Sequence, residues 1–156
     1  MKKYYLTYMP INILDCKMSY KYFVSRANVC YETITDEGGE YFYSKTSLTG
    51  ETLEKKSVTV AEFEELKKKA SSLRIVKVVS DLNIGGKKVR FEKYERNFLG
   101  INVAEVDFSS EKEYENFKMP DWFKGEIKGG DIFDYKLFMS ALTHSSNLEN
   151  DLGKNQ

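Results

Sequence analysis

Apolar and polar residues alternate along most of this chain, most regularly in residues 89–94 and 101–108. In the second segment Glu105 and Asp107 share one face of an extended strand, and apolar side chains fill the other face. A strand face with acids two residues apart lies in water or lines a polar cavity, and most such faces are solvated. The pattern therefore predicts two neighbouring strands whose acidic face is either solvated or turned towards a cavity.

The same two-residue period predicts six further strands. They cover residues 3–9, 19–24, 29–34, 40–45, 52–58 and 73–79, and the strand of residues 89–94 begins at residue 87. An Asp-Glu-Gly-Gly turn and a Gly-Gly turn between neighbouring segments indicate hairpins. Eight strands joined mostly as hairpins can close into a small barrel, which removes exposed sheet edges. The sequence therefore favours a closed antiparallel eight-stranded β-barrel with a few peripheral helices.

Three helices interrupt or follow these strands. Thr59 is placed to cap the first, over residues 60–70, whose early acids and late lysines complement the helix dipole. A Ser-x-x-Glu capping box that starts at Ser110 opens the second. The third is predicted to end at Leu142, before a polar tail of residues 143–156 that is expected to fray. With these helices the predicted fold class is α+β.

Composition indicates one globular domain. The chain has 156 residues, of which 41% are hydrophobic and 31% are charged, and this length suffices for a single core. The predicted domain covers residues 1–142, and residues 143–156 form a flexible tail. No apolar run approaches the ~20 residues of a membrane-spanning helix. We therefore expect no membrane partner.

Net charge and cysteine content further restrict the expected classes of partner and the expected cellular location. Basic and acidic residues are equal in number, at 24 each. This balance argues against bulk electrostatic binding to nucleic acid or to a membrane, but not against a local basic cavity. Cys16 and Cys30 have no metal-ligand spacing. Since the chain shows no signal peptide, we interpret them as reduced thiols and expect a cytoplasmic location.

Three consecutive motifs in the C-terminal half carry a family resemblance. Residues 104–108 read AEVDF, residues 109–117 read SSEKEYENF, and residues 120–128 read PDWFKGEIK. They resemble the A-E-V-E-F strand, the Ser-Glu-Glu run entering a helix and the P-x-W-x-G-x-E-V-T signature of the CYTH family, the triphosphate tunnel metalloenzymes. The resemblance implies a closed antiparallel tunnel of eight strands that binds a triphosphate and holds Mg²⁺ or Mn²⁺ on acidic residues at one end.

The resemblance also implies two sets of site residues, although it assigns no catalytic residue. Cations would bind phosphate and carboxylates would hold the metal, since desolvated phosphates must be paired and these ions prefer oxygen ligands. The implied phosphate-binding residues are Lys45, Lys77, Lys56 and Arg90. The implied metal-binding residues are Glu54, Glu92, Glu105 and Asp107.

Several positions depart from the family pattern. The family's first strand carries Glu-x-Glu-x-Lys, whereas this chain has KYYL there, with Lys2 near one glutamate position and no acid before Asp15. Lys56 and Arg90 also stand where acids are usual. A lysine inside a metal site repels the ion, or substitutes for it by pairing with the remaining carboxylates. The sequence therefore predicts a degenerate tunnel in which the metal chemistry is weakened or lost.

Each site residue also has a purely structural interpretation. The acids and lysines would then lie in water, and Arg90 would form a cross-strand ion pair with Glu92, which is the favoured role for Arg90. A one-residue slip in strand register would move every side chain to the opposite face and change the assignment.

Three functions therefore stay open. The first is a tunnel protein that binds a nucleotide, a triphosphate or a related phosphorylated ligand, which the retained lysines and lost acids favour. The second is an active Mg²⁺- or Mn²⁺-dependent triphosphatase or adenylate cyclase of the CYTH type. The third is a module that keeps the fold, has lost the site and binds a protein partner.

Overall fold

The computed structural model describes residues 2–9 and 16–154, and only the backbone of residues 131 and 144–154. Within these residues it contains nine strands, three α-helices and two 3-10 turns. The strands are β1 (Lys2–Leu6), β2 (Lys17–Arg26), β3 (Cys30–Glu37), β4 (Glu40–Ser47), β5 (Thr52–Ser57), β6 (Arg74–Ile84), β7 (Lys87–Tyr94), β8 (Asn102–Val106) and β9 (Phe123–Ile127). The helices are α1 (Val60–Lys67), α2 (Glu111–Glu115) and α3 (Phe133–Lys154), and the 3-10 turns are Arg96–Phe98 and Gly130–Ile132.

All nine strands belong to one sheet with the order β5-β4-β3-β2-β6-β7-β8-β1-β9, and every pair is antiparallel. The eight predicted strands are present, and the predicted count is corrected to nine by β9. The sequence predicts no strand there because FKGEI is short and has a glycine at its centre. β9 forms through its pairing with β1.

The sheet is strongly curved but is not hydrogen-bonded into the predicted closed barrel. Among the described residues, β5 and β9 end the strand order. Thr49 in the β4–β5 turn and Gly129 after β9 nevertheless line one cavity. In a flat sheet the seven strand spacings between β4 and β9 would separate them by roughly 34 Å. The two edges therefore approach each other, and the sheet has a concave inner face, on which α3 lies, and an outer face.

The first two helices begin at the predicted caps. Thr59 accepts a hydrogen bond from the backbone N–H of Glu62, and the Glu62 carboxylate accepts one from the backbone of Thr59. Ser110 caps α2 by accepting a hydrogen bond from the N–H of Glu113, and the Glu113 carboxylate accepts one from the Ser109 hydroxyl in place of the reciprocal bond of the predicted capping box. None of the described helices is long and apolar enough to cross a membrane.

Two predictions concern the limits of the described chain. α3 continues past Leu142, its predicted end, to Lys154, because no proline interrupts that stretch. The flexibility of residues 143–156 stays a prediction. The sequence also predicts a loop over residues 12–18, between the first two predicted strands. This segment falls mainly outside the described residues, and its last two residues already belong to β2.

The two faces of the sheet carry different apolar cores. On the inner face Phe138 of α3 stacks on Phe23 with 4.0 Å between ring centroids, and Phe133 is buried beside it. On the outer face α1 buries Phe63, which is 2% exposed. Each buried phenylalanine contributes about 2–3 kcal/mol to stability. The first turn of α3 is therefore fixed on the inner face, and with it the position of Asp134.

Candidate functional site

A network of charged side chains is buried on the inner face of the sheet. At its centre Lys77 Nζ lies 2.6 Å from Glu92 Oε2 and 2.7 Å from Asp134 Oδ2, and all three side chains are at most 5% exposed. We call the whole group the inner network; it consists of Lys3, Lys21, Lys77, Arg90, Glu37, Glu92, Glu105 and Asp134, with the hydroxyl of Tyr94. Four cations thus face four carboxylates, so the inner network is electrically balanced.

Strand register explains why these side chains meet. Lys77 of β6 lies directly opposite Tyr94 of β7. Glu105 of β8 lies opposite Arg90 on one side and opposite Lys3 on the other. Opposite residues in antiparallel strands share a face, and their side chains are near neighbours. The inner network therefore follows from period-two alternation on six adjacent strands, except for its one residue from α3.

Asp134 is the common acceptor of three donors. Besides Lys77, it accepts hydrogen bonds from Lys21 Nζ at 2.6 Å and from the Tyr94 hydroxyl at 2.5 Å. Burial raises the pKa of Asp134, but the Lys21 and Lys77 ammonium groups outweigh burial and hold that pKa well below its usual value. Burial and the Asp134 carboxylate together raise the pKa of Tyr94. At neutral pH Asp134 is therefore an anion and Tyr94 a neutral donor.

Glu92 is ionised for the same reason. Burial raises its pKa, but Lys77 and then Lys3 lower it to about 2. Burial also lowers the pKa of Lys77, against the opposing effect of its two carboxylate partners. Within the described part of the chain, Glu92 Oε1 is buried and accepts no hydrogen bond. This oxygen is the weakest point of an otherwise well-paired cluster.

Lys3 lies between two of the carboxylates that the sequence assigns to metal. Its Nζ is 3.6 Å from Glu105 Oε2 and 3.9 Å from Glu92 Oε1. Among the side chains that the structure describes, in residues 2–9, 16–130 and 132–143, no three His, Cys, Asp or Glu come together as a metal site. A divalent ion between Glu92 and Glu105 would be repelled by the Lys3 ammonium. The residues present therefore do not fit Mg²⁺ or Mn²⁺ at this position.

Arg90 closes the network across the concave face. Its guanidinium donates two hydrogen bonds to the Glu37 carboxylate on β3, and its Nε lies 3.7 Å from Glu92 Oε2. Burial disfavours the charged guanidinium, but the hydrogen bonds to Glu37 outweigh burial and raise the pKa of Arg90. Because β3 and β7 are not neighbours in the sheet, this bidentate pair joins strands that backbone hydrogen bonds do not connect.

Three predicted site residues lie on the outer face instead. Lys45 and Lys56 are opposite Glu54 and Tyr43 in the β4–β5 ladder, and Tyr43 packs in the outer core with α1. The Glu54 carboxylate lies 3.3 Å from Lys56 Nζ, with these side chains 47% and 55% exposed. Glu32 lies on the same face and accepts a hydrogen bond from Tyr43. We call Glu32, Lys45, Glu54 and Lys56 the outer cluster.

The structure thus brings together part of the predicted site. Lys77, Arg90, Glu92 and Glu105 meet in the inner network. Arg90 lies 3.7 Å from Glu92, but both belong to β7, so the predicted cross-strand pair is wrong, and the cross-strand partner of Arg90 is Glu37. Asp107 follows the end of β8 and is exposed. The ligand-binding roles assigned to all eight residues stay predictions.

Sequence reasoning missed the inner residues Lys3, Lys21, Glu37, Tyr94 and Asp134. The sequence analysis assigned Lys2 to the position that Lys3 occupies. In KKYYL two lysines precede two tyrosines, so hydrophobicity does not show which lysine lies on the inner face. Lys21 and Glu37 do follow the two-residue alternation of their strands, which could have indicated them. Asp134 gives no such signal, since it meets Lys21 from 113 positions away in the chain.

A cleft opens between the two edges of the sheet. Its volume is about 310 Å³. It is lined by Lys2, Lys3, Thr49, Gly50, Tyr114, Glu126, Ile127, Lys128, Gly129 and Gly130, and we call it the edge cleft. Since Lys3 also belongs to the inner network, the edge cleft lies next to the buried charges.

Comparison with known proteins identifies the fold but no family. No protein-family model matches the chain, and no curated protein sequence matches it significantly. Solved structures similar to it include two of NE1496. The crystal structure of the hypothetical protein NE1496 has a TM-score of 0.64 at 19% sequence identity, and the alignment spans 85% of this chain and 90% of the NE1496 chain. A structure of the inorganic triphosphatase NE1496 has a TM-score of 0.61 at 20% identity and covers 80% of this chain and 86% of its own.

Proposed function

We propose that this chain binds a phosphorylated ligand, a triphosphate or a nucleotide, on the concave inner face of its sheet and does so without a divalent metal. The observation that carries the proposal is the position of Lys3, whose ammonium lies 3.6 Å from Glu105 and 3.9 Å from Glu92. A fixed lysine between two carboxylates supplies the positive charge that a metal ion would supply.

The inner face has the groups that phosphate recognition needs. Lys77 and Arg90 are largely buried cations, and Arg90 presents the planar fork that pairs with two oxygens at once. Each is paired with a carboxylate in this structure, so a phosphate would compete with Glu37, Glu92 or Asp134 for them. Such an exchange of one anion for another gains little net energy. We therefore expect moderate affinity, carried mainly by added contacts outside the balanced network.

The fold supports the same proposal. The similar structures include one of an inorganic triphosphatase. At 20% identity this likeness concerns the fold, and the function is our inference. We also propose that the curved sheet surrounds its ligand as a tunnel, because both of its edges contribute to the edge cleft.

Thermal unfolding in the presence of ligand tests the proposal. The protein is heated alone, with millimolar tripolyphosphate and with ATP, each in EDTA and each again with Mg²⁺ or Mn²⁺, and sodium sulfate at matched ionic strength is the control. A ligand at a hundredfold over its Kd adds about 2.7 kcal/mol to the free energy of unfolding. We expect an upward shift of the melting temperature in EDTA that sulfate does not produce.

The same experiment separates the other functions. A shift that requires Mg²⁺ or Mn²⁺ would overturn metal-independent binding and favour a triphosphatase or cyclase, and a turnover assay would follow. No shift with any phosphate would refute both and leave a module for a protein partner.

A further inference from the structure

We infer that the edge cleft is the phosphoryl-binding subsite of this protein. The inference rests on the proposed function, since it names the place where a phosphate group of that ligand binds. It is carried by a cavity in which lysines surround two successive glycines.

Three lysines, Lys2, Lys3 and Lys128, line the edge cleft. A fourth, Lys136 of α3, does not line it but lies beside its glycine Gly129, with Nζ 3.6 Å from the point where a side chain on Gly129 would begin. Several ammonium groups around one cavity create a positive potential that attracts and pairs with phosphate oxygens.

The acid in this lining is already engaged. Both carboxylate oxygens of Glu126 lie 2.8 Å from the hydroxyl of Tyr114. Lys2 Nζ in turn lies 4.5 Å from the centroid of the Tyr114 ring. Lys3 is already balanced within the inner network, but Lys2 and Lys128 against Glu126 still leave the rest of the lining with an excess of positive charge. An anion that approaches the edge cleft is therefore attracted by a net positive lining.

The two glycines keep the edge cleft open. Gly129 has φ of 65°, a conformation that residues with a side chain rarely adopt. A Cβ on Gly130 would lie 3.2 Å from Cγ of Lys3, closer than packing readily allows. Any larger residue would push the Lys3 stem away from its carboxylate partners. The glycines thus let Lys3 connect the edge cleft with the inner network.

The size of the edge cleft suits a phosphate chain. Its volume is about 310 Å³, and a water molecule in the liquid takes about 30 Å³. Several phosphoryl groups therefore fit. We assign one of them to Lys128 and Lys136 at the edge and the next to Lys3, nearer the inner network.

Lysine substitutions at the edge test this assignment. Lys128→Met and Lys136→Met each remove one charge from an exposed side chain, so the fold is expected to tolerate them. Lys124→Met is the matched control, because Lys124 is an exposed lysine of β9 that does not line the edge cleft. Binding of tripolyphosphate is measured calorimetrically in EDTA at low and high salt.

We expect each edge variant to weaken tripolyphosphate binding roughly tenfold, which corresponds to about 1.4 kcal/mol, and the control to bind like the wild type. Equal affinities of Lys128→Met, Lys136→Met and the wild type would overturn the edge cleft and leave the proposed function standing. Equal losses in all three variants would overturn it too, because they would indicate non-specific attraction.

A second measurement stays informative if tripolyphosphate does not bind at all. Inorganic phosphate is titrated into isotopically labelled wild-type protein, and the amide resonances of Gly129 and Gly130 are followed. Saturable shifts concentrated at these glycines would uphold the edge cleft as an anion site even though the proposed function had failed. Unchanged glycine resonances up to high millimolar phosphate would overturn it.

Discussion

The inner network and the outer cluster contain the same kinds of residue in opposite surroundings. Lys77 and Glu92 are 4% and 2% exposed and lie 2.6 Å apart, whereas Lys56 and Glu54 are 55% and 47% exposed and lie 3.3 Å apart. Water screens the outer pair, and its two long side chains lose conformational freedom when they meet. The inner pair is almost fully shielded from water, so each charge is stabilised by its partner and not by hydration. The face of the sheet on which a lysine–glutamate pair lies therefore decides whether the pair is buried and strongly coupled or exposed and weakly coupled.

This comparison predicts its largest effect for Asp134→Asn. The substitution removes the charge from the acceptor of Lys21, Lys77 and Tyr94 and keeps its size. Breaking a buried ion pair by neutralising one partner destabilises a protein by about 3–5 kcal/mol. We expect a loss of this size in the free energy of unfolding, measured by urea denaturation at pH 7.

Asp121→Asn is the matched control, since Asp121 is exposed. It should stay within about 0.5 kcal/mol of the wild type. If Asp134→Asn changed stability no more than this control does, the inner network would not differ energetically from a surface cluster, and the comparison would fail.

Acid sensitivity is the next largest effect. The pKa of Glu92 is about 2 in the folded protein against an ordinary 4.5, so between these values the unfolded chain binds more protons than the folded one. The stability that Glu92 contributes is therefore complete above about pH 4.5 and is lost as the pH falls towards 2. The lowered pKa of Asp134 acts in the same direction. Urea denaturation from pH 6 down to pH 3 measures the loss.

Glu92→Gln assigns the acid effect to this residue. A group that titrates only in the unfolded state changes the free energy of unfolding by up to about 1.4 kcal/mol per pH unit. The slope of stability against pH should be shallower in Glu92→Gln than in the wild type by up to this amount. Parallel slopes in the two proteins would show that Glu92 does not depend on Lys77 and Lys3 as the structure indicates.

The sequence predicted the strands well because alternation with period two is a local property. It predicted the faces less well where neighbouring residues are alike. In β4, Tyr41, Phe42 and Tyr43 are all aromatic, so hydrophobicity alone cannot tell which side Lys45 takes. Pairing with β3 and β5 decides it and directs Lys45 outward. Register is a tertiary property, and a slip of one residue exchanges the faces.

The inner network was predictable only in part, for a related reason. Glu92 and Glu105 lie in the two most regular strands, so their shared face could be read from the sequence. Asp134 joins them through α3, which is held by contacts of Phe133 and Phe138 with distant strands. Such contacts between remote segments leave no periodic signal. Asp134, the acceptor at the centre of the inner network, is thus the residue least predictable from the sequence.

The smallest expected effect belongs to the outer cluster, and it sharpens the comparison most. Lys56→Met and Glu54→Gln each break the exposed pair of β5, and exposed ion pairs contribute about 0–1 kcal/mol. We expect both variants to unfold within about 0.5 kcal/mol of the wild type. Tripolyphosphate should raise the melting temperature of both as much as it raises that of the wild type, since the outer cluster lies on the opposite face from Lys77 and none of its residues lines the edge cleft. A ligand-induced shift that disappeared in Lys56→Met, with stability intact, would show that phosphate binds on the outer face, as the family resemblance alone implies for Lys56. Stability and ligand response together therefore identify which of the two charge clusters binds phosphate. Substitutions in the buried inner network are expected to lower the free energy of unfolding, whereas substitutions in the exposed outer cluster are expected to leave it nearly unchanged.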